Sequence, residues 1–291
     1  MSFLGFDPTV FTSYMNVDCP EDLLIPTTDP VAWQHYEDLR WIYNKMELCK
    51  SQDIACAPYG VYPEFYPVFL KPIHNLNDIS VQSFFIRNEA EYNNHYYPGS
   101  FWMEFLDGDH LSIDMIVIKG RMQWCYGFKG YRSKKNLHQF DRWEGFQPAE
   151  NLVRIASLWA YTHLKDYTGC VNFEIIKTRI IECHLRLENS LYFGDKEFFD
   201  AVVKLYDVGE WKYDGKFEKC YCVPFYGTSD KEYDIDKTTI RTIQKGVQSI
   251  YVYPSTMRHP DSAGNVKLAL INSFDYDAAL EAKSQLQSHF W

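Results

Sequence analysis

The pattern of hydrophobic and polar positions predicts an extended start followed by helix and strand. Residues 1–30 are rich in Pro, Asp and Thr and show no sustained hydrophobic period, which is typical of an extended arm lying on the body of a protein. Asp29-Pro30 then offers a cap and a first-turn proline, and apolar residues at near-helical spacing continue through Cys49. A strand is expected over residues 66–73 and a helix over residues 88–96.

The middle of the chain carries short runs of strand-forming residues. Residues 100–106, 111–118 and 121–126 are such runs, and turn-forming sequences separate them. Together they predict an antiparallel meander. Residues 148–165 have the clearest helical spacing in the chain, and alternation of polar and apolar residues over 170–187 predicts a β-hairpin.

The last part of the chain mixes predicted helices and strands. A polar run at residues 227–237 is expected to be a linker. The remaining predicted elements are a helix at 197–205, strands at 216–226, 247–253 and 266–271, and a terminal helix at 276–290.

Composition narrows the class of protein. Apolar residues make up 46% of the chain and aromatic residues 17%, enough for a substantial core. The net charge of −10 and the scattered basic residues argue against binding nucleic acid through its phosphates. No apolar run approaches the roughly 20 residues of a membrane-spanning helix, and the first residues do not resemble a secretory signal. With eight dispersed cysteines expected to be reduced, a cytoplasmic protein is predicted.

The hairpin is the part of the sequence with the clearest chemistry. If residues 177–179 form its loop, Glu174 lies opposite Glu182 and Asn172 lies opposite His184, all on one face of the sheet. The apolar residues of the two strands would then face the core: Phe173, Ile175, Ile181 and Cys183. A loop of two residues would instead place the glutamates on opposite faces.

The paired glutamates suggest a cation. Adjacent carboxylates repel unless a cation or a shared proton neutralises them. Magnesium prefers oxygen ligands and takes one or two carboxylates from a protein, so it is the natural candidate. Arg186 would extend the same face with a planar donor group suited to phosphate or carboxylate oxygens. An exposed sheet face whose charges meet only water is the alternative.

Residues 182–186 read Glu-Cys-His-Leu-Arg, which resembles the closing hairpin of the ATP-grasp family. That hairpin carries an acidic residue on one strand and a Glu-x-Asn-x-Arg pattern on the next. By this resemblance Glu174 and Glu182, with His184, would bind Mg²⁺. Arg186 would be catalytic, orienting phosphate or stabilising the transferring group. His184 stands where the family usually has Asn, and a neutral imidazole can still bind a metal.

The resemblance extends upstream of the hairpin. Lys45 on a predicted helix and Lys71 at the end of a predicted strand resemble the two lysines that bind nucleotide phosphates in the family, and Lys71 would also act in catalysis. Surface lysines in the same elements are the alternative reading.

The family's hinge strand has a counterpart in residues 101–108. By the resemblance, the backbone from Met103 through Glu104 and Phe105 to Leu106 would bind adenine, and His110 would contact ribose. A simple buried hairpin would use the same residues.

The resemblance predicts a fold and a division of the chain into domains. The resemblance implies an ATP-grasp-like fold in which two α+β lobes clamp a nucleotide between antiparallel sheets. Residues 1–30 would be an arm, 31–226 the two lobes, and 227–291 a small C-terminal α/β extension. The loop after Lys71-Pro72 contains no glycine, although family members usually cover the phosphates with a glycine-rich loop.

The resemblance also implies an activity. The expected reaction is ATP- and Mg²⁺-dependent ligation of a small-molecule carboxylate to an amine or other nucleophile through an acylphosphate. A small-molecule kinase on the same scaffold, and a degenerate protein that binds nucleotide or a partner without turnover, are the alternatives. Asp114, Asp141 and Arg132 are weaker candidates for contacts to the acceptor.

Overall fold

The computed structural model describes residues 3–4, 17–76, 82–134, 136, 139–261 and 263–290. Most of the expected N-terminal arm and residues 77–80 of the glycine-free loop lie outside these ranges. The α-helices are α1 Asp29–His35, α2 Lys45–Lys50, α3 Glu89–His95, α4 Glu150–His163, α5 Lys196–Val208, α6 Lys237–Gln244 and α7 Tyr276–His289, and 3-10 helices span Glu37–Tyr43, Asn189–Tyr192 and Ser255–Met257.

The strands of the described residues form three sheets. A short parallel pair of strands lies near the N-terminus, and the other two sheets are antiparallel. The strands are β1 Phe3–Leu4, β2 Ile25–Pro26, β3 Cys56–Pro58, β4 Val68–Pro72, β5 Phe84–Ile86, β6 Ser100–Glu104, β7 His110–Ile118, β8 Arg121–Arg132, β9 Phe140–Phe146, β10 Gly169–Ile176, β11 Arg179–His184, β12 Tyr221–Thr228, β13 Ser249–Val252 and β14 Asn265–Ser273.

Two antiparallel sheets of different size organise the molecule. The larger has eight strands in the order β11-β10-β7-β8-β9-β12-β14-β13, and the smaller has the order β3-β6-β4-β5. Helices α4, α5, α6 and α7 pack on the larger sheet, α3 packs on the smaller one, and α2 contacts both. The predicted α+β class with antiparallel sheets is therefore confirmed.

The alternation of side chains along β7 and β10 positions the site. Ile113 and Val171 point to a face that packs against α4, together with Met115 and Phe173. On the opposite face, Ile116 and Cys170 at one end of the strands belong to the core under α5. Polar residues occupy the other end of that face, so a polar region adjoins the core on the same sheet surface: His110, Ser112, Asp114, Asn172 and Glu174.

The hairpin has the predicted strand pairing, but its turn is shorter than predicted and one strand contains a bulge. Glu174 pairs with Glu182, and Asn172 pairs with His184, as predicted. The turn contains only residues 177–178, and a bulge shifts the register by one residue between the glutamates and the turn. This extra residue is Ile181, which packs with residues of the smaller sheet instead of the core formed by Phe173 and its neighbours, where it was expected.

The predicted three-stranded meander is wrong. β6 belongs to the smaller sheet, whereas β7 and β8 belong to the larger one. Residues 105–109 connect β6 to β7 and so cross from one sheet to the other. β9 was not predicted, because its apolar residues Phe140, Trp143 and Phe146 recur every third position instead of alternating.

The predicted N-terminal helix is divided into three pieces. Asn44 has an extended backbone, and its side chain accepts hydrogen bonds from the backbone N–H groups of Met46 and Glu47. It therefore caps a new helix, α2, and interrupts the regular helix implied by the apolar spacing. This cap makes Lys45 the first residue of α2.

The C-terminal strands continue the larger sheet. β12 pairs with β9 on one side and with β14 on the other, and the expected domain boundary at residue 227 falls within β12. Division of the chain at this point stays a prediction.

Among the helices of the described residues, none combines the length and apolar character needed to cross a membrane.

Candidate functional site

A cavity of about 700 Å³ lies between the larger and the smaller antiparallel sheet. β4, β5 and β6 contribute to one wall, and β7, β10 and β11 contribute to the other. Residues 105–108 of the connection between the sheets also line it. The cavity therefore joins the hairpin, the connection and both predicted lysines in one site.

The two glutamates of the hairpin lie side by side in the cavity. Glu174 and Glu182 are cross-strand partners, and each can offer a carboxylate oxygen to a group that also includes a nitrogen of His184. The donor atoms of these three side chains lie within 4.8 Å of one another. Among the described residues, this is the group of acidic, His or Cys side chains that could hold a metal ion.

Both predicted lysines contact Glu182. The Nζ atom of Lys45 lies 2.6 Å from Oε1 of Glu182, and Nζ of Lys71 lies 3.5 Å from the same oxygen. Lys71 also donates a hydrogen bond of 3.3 Å to the carbonyl oxygen of Ile181. The lysine residues are only 7% and 3% exposed, so both positive charges lie in the cavity wall instead of on a solvated surface.

Burial and ion pairing act against each other in this group. Burial lowers the pKa of Lys71, and the nearby Glu182 carboxylate partly opposes that change. Burial alone would raise the pKa of Glu182, but the ammonium groups of Lys45 and Lys71 bring it below its ordinary value. Glu182 is therefore ionised at neutral pH and balances two adjacent cations.

Glu174 has a different partner. Nε2 of His110 lies 2.8 Å from Oε2 of Glu174, and Nδ1 of His110 lies 3.1 Å from Nη2 of Arg132. Burial would raise the pKa of Glu174, but His110 holds it well below its ordinary value. His110, predicted to contact ribose, thus lies in the cavity wall with its ring nitrogens directed at Glu174 and Arg132.

Asp29 joins the site from the start of α1. Its Oδ2 lies 3.0 Å from Nδ1 of His184, and its two oxygens accept hydrogen bonds of 3.0 and 2.7 Å from Nε and Nη2 of Arg186. Arg186 also contacts Glu188 through Nη1. The guanidinium group predicted to orient phosphate is therefore bound to two carboxylates of the chain.

Sequence reasoning did not find Asp29 as a site residue. Its position before a proline indicates a helix start, and it does lie in the first turn of α1. Nothing in the local sequence predicts that this carboxylate is 2% exposed and touches a hairpin more than a hundred residues away. Burial would raise the pKa of Asp29, but Arg186 and His184 lower it well below its usual range.

The weaker acceptor candidates occupy different places. Asp114 is fully buried behind the cavity and accepts hydrogen bonds from the Asn172 side chain and from the backbone N–H groups of Glu188 and Ser190. Arg132 lines the cavity. Asp141 is exposed on β9 and is not among the residues that line the cavity.

The end of the cavity next to the connection is largely apolar. Met103 is buried beside Cys49, with 3.9 Å between their sulfur atoms, and packs in a cluster that includes Ile181 and, partly buried, Leu106. Phe105 is 39% exposed and packs against the ring of Phe85. Glu104 also lines the cavity, and its backbone N–H is hydrogen-bonded across the sheet edge, 2.8 Å from the carbonyl oxygen of residue 55.

Solved structures resemble this fold although their sequences do not. L-amino acid ligase from Bacillus licheniformis superposes with a TM-score of 0.63 at 14% identity, over 92% of this chain and 79% of that one. Phosphoribosylamine–glycine ligase from Thermotoga maritima gives a TM-score of 0.60 at 11% identity, over 98% of this chain and 86% of that one.

A third structure contains a nucleotide. Carboxyaminoimidazole ribonucleotide synthase from Aspergillus clavatus, complexed with ATP, gives a TM-score of 0.55 at 11% identity, over 87% of this chain and 73% of that one. No family model and no curated protein sequence matches the chain. The structural neighbours are ATP-grasp enzymes, and they agree with the sheet arrangement described above. The chain therefore has the ATP-grasp fold.

Proposed function

We propose that this protein is an ATP- and Mg²⁺-dependent ligase that joins a small-molecule carboxylate to an amine or another nucleophile through an acylphosphate. The observation that carries the proposal is the convergence of Lys45, Lys71, Glu174 and Glu182 in one cavity between two sheets. Three structural neighbours are named as a ligase, a ligase and a synthase, and one of them is a complex with ATP.

The cavity offers separate environments for the parts of a nucleotide. Its apolar end, with Met103, Leu106 and Ile181, suits a flat base. Because the N–H of Glu104 already bonds to residue 55, the backbone of the connection that begins at Phe105 would meet the base's hydrogen-bonding edge. Lys45 and Lys71 would bind the phosphates, because their ammonium groups already point to one position beside Glu182. Exchange of one anionic partner for another would cost these buried lysines little desolvation.

The carboxylates fit a divalent cation. Glu174 and Glu182 supply oxygen donors on one sheet face, and Mg²⁺ typically takes one or two carboxylates and completes its shell with water and phosphate oxygens. A bound cation would supply neutralisation of charge on the transferring phosphoryl group. The residues of the chain would then contribute positioning, since Lys45 and Lys71 would bind the phosphates and Glu174 and Glu182 would hold the cation.

The guanidinium group of Arg186 is already bound by other residues of the chain. Its contacts with Asp29 and Glu188 fix the guanidinium group and offset its charge. It would therefore act on phosphate only after one of these contacts lengthens. The same contacts favour the second candidate, a protein that binds nucleotide without turnover, because they occupy the donor that a transferring group would need.

Product analysis distinguishes the candidates. The purified protein is incubated with Mg²⁺, ATP and a panel of carboxylates and amines, and ADP, inorganic phosphate and new condensed products are measured. The ligase proposal predicts equal amounts of ADP, phosphate and condensed product. ADP with a phosphorylated product and no free phosphate would indicate a kinase. ATP binding without ADP release across the panel would indicate a non-catalytic binder. The cytoplasmic location predicted from the sequence is part of the same proposal.

A further inference from the structure

The third donor of the candidate metal group is a nitrogen. Glu174 and Glu182 contribute oxygens, and His184 contributes an imidazole on the same sheet face. Mg²⁺ is a hard cation that prefers oxygen ligands, whereas imidazole suits first-row transition ions. The donor set therefore contains one ligand that favours a transition ion over magnesium.

The imidazole of His184 lies against the Asp29 carboxylate. Oδ2 of Asp29 lies 3.0 Å from Nδ1 of His184, and the Asp29 side chain is 1% exposed. Arg186 fixes the same carboxylate from its other side through hydrogen bonds to both oxygens. A carboxylate on one ring nitrogen orients a histidine and strengthens the other nitrogen as a metal ligand.

The second ring nitrogen faces the carboxylates. Nε2 of His184 lies 3.8 Å from Oε2 of Glu182. The two lysines contact the other oxygen of Glu182, Oε1. The lysines and the imidazole therefore approach Glu182 from different sides, and a cation between Oε2 and Nε2 would leave the lysine contacts in place.

We propose that the site selects a first-row divalent transition ion over Mg²⁺, with His184 as a direct ligand through Nε2 and Asp29 as its positioning residue. This inference rests on the metal site of the proposed function. It adds the preferred class of cation and a role for Asp29. The open part of the coordination shell would accept phosphate oxygens, which Mn²⁺ takes as readily as Mg²⁺ does.

Electron paramagnetic resonance with Mn²⁺ tests the proposal on the full-length protein without nucleotide. Loss of the free Mn²⁺ signal gives the dissociation constant, competition with Mg²⁺ gives the selectivity, and pulsed measurements detect ¹⁴N coupled to bound Mn²⁺. The wild type is expected to show ¹⁴N coupling and to bind Mn²⁺ at least about tenfold more tightly than Mg²⁺.

Two variants and a control assign the nitrogen. His184→Asn replaces imidazole with an oxygen donor, so it is expected to lose the ¹⁴N coupling and to reduce the Mn²⁺ to Mg²⁺ selectivity about tenfold. Asp29→Asn should keep the ¹⁴N coupling, lower the affinity for Mn²⁺ about tenfold and lower the affinity for Mg²⁺ less. A merely structural defect would lower the affinity for both ions equally. His289→Asn, at the exposed end of α7, should match the wild type.

The wild-type spectrum alone is decisive if a variant fails to fold, as judged by circular dichroism. Bound Mn²⁺ without ¹⁴N coupling, equal affinity for the two ions, or coupling that persists in folded His184→Asn would each overturn the inference. Those outcomes leave ATP-dependent ligation intact, because that function is tested by its products. Absence of products would in turn leave the spectroscopic result standing.

Discussion

Two groups lie on the same face of the larger sheet and are stabilised in different ways: the half-buried carboxylates of Glu174 and Glu182, and the fully buried carboxylate of Asp114 with its hydrogen-bond donors. Glu174 and Glu182 are paired with His110, Lys45 and Lys71, which are side chains from other elements. One strand over and toward the core, the carboxylate of Asp114 is bound instead by the backbone N–H groups of residues 188 and 190 and by an asparagine.

The difference separates exchangeable partners from fixed ones. A lysine side chain can change partners when a phosphate arrives, whereas a backbone N–H cannot leave Asp114 without unfolding the loop that carries it. Burial raises the pKa of Asp114, and its hydrogen bonds only partly oppose that change. In contrast, contacts with His110 lower the pKa of Glu174, and the ammonium groups of Lys45 and Lys71 lower that of Glu182, against the effect of burial. We therefore expect the first group to carry function and the second to carry stability.

The largest expected effect follows from Glu182→Gln. Removing this charge takes away a cation ligand and the counter-ion of both lysines, so ADP release should fall by about a thousandfold, equivalent to about 4 kcal/mol in the activation barrier. Stabilisation by Mg²⁺ and ATP in a thermal-shift assay, about 2.7 kcal/mol at 100 times the dissociation constant, should disappear. Glu197→Gln on the exposed first turn of α5 is the control. An unchanged thermal response in Glu182→Gln would refute the metal assignment.

Asp114→Asn should affect stability instead of binding. Whichever way the amide is oriented, its NH₂ group faces a backbone N–H that previously had an acceptor, and the unfolding free energy should fall by about 3 kcal/mol. Urea denaturation measures this loss, with Asp207→Asn on the exposed end of α5 as the matched control. ATP affinity in the folded variant should stay within about twofold of the wild type. A variant of native stability that no longer binds ATP would contradict the proposed division.

Lys71→Met tests whether the lysine partners of Glu182 are exchangeable. One charge-assisted hydrogen bond to phosphate is worth about 2 kcal/mol, so the dissociation constant for ATP should rise by about thirtyfold in isothermal titration calorimetry. Lys204→Met, at an exposed position of α5, should leave binding unchanged. Wild-type ATP affinity in Lys71→Met would show that this ammonium group serves only to balance Glu182.

The smallest expected effect lies between the two groups. Ser112 accepts a hydrogen bond of 2.8 Å from the Asn172 side chain, which also donates to Asp114, and Ser112 is the cross-strand neighbour of Glu174. Ser112→Ala should lower the unfolding free energy by about 1 kcal/mol in urea denaturation and leave ATP binding unaltered. If this variant instead lost nucleotide binding as Glu182→Gln does, the two groups would have to be treated as one network.

The hairpin shows how far sequence reasoning reached and where it was incomplete. Alternation placed Glu174, Glu182 and His184 on one face, and the pairing was predicted correctly. The bulge that produces this pairing was not predicted. It lies at Ile181 and compensates for a two-residue turn, so that residue lies at the cavity instead of in the expected core. A bulge depends on what the neighbouring sheet needs, and local pattern contains no signal for it.

The spacing of polar and apolar residues by itself determined the hairpin, strands β7 and β8 and helix α4, because side-chain period is a local property of the backbone. The Glu-Cys-His-Leu-Arg motif of the hairpin and the two lysine-bearing elements resembled the ATP-grasp family, and the structural neighbours agree with that fold. Only the tertiary structure decided that β6 leaves the predicted meander for a second sheet, and that Asp29 reaches His184 and Arg186. Those arrangements depend on contacts between residues distant in sequence, whose register and burial are settled only when both sheets and the N-terminal helix pack together.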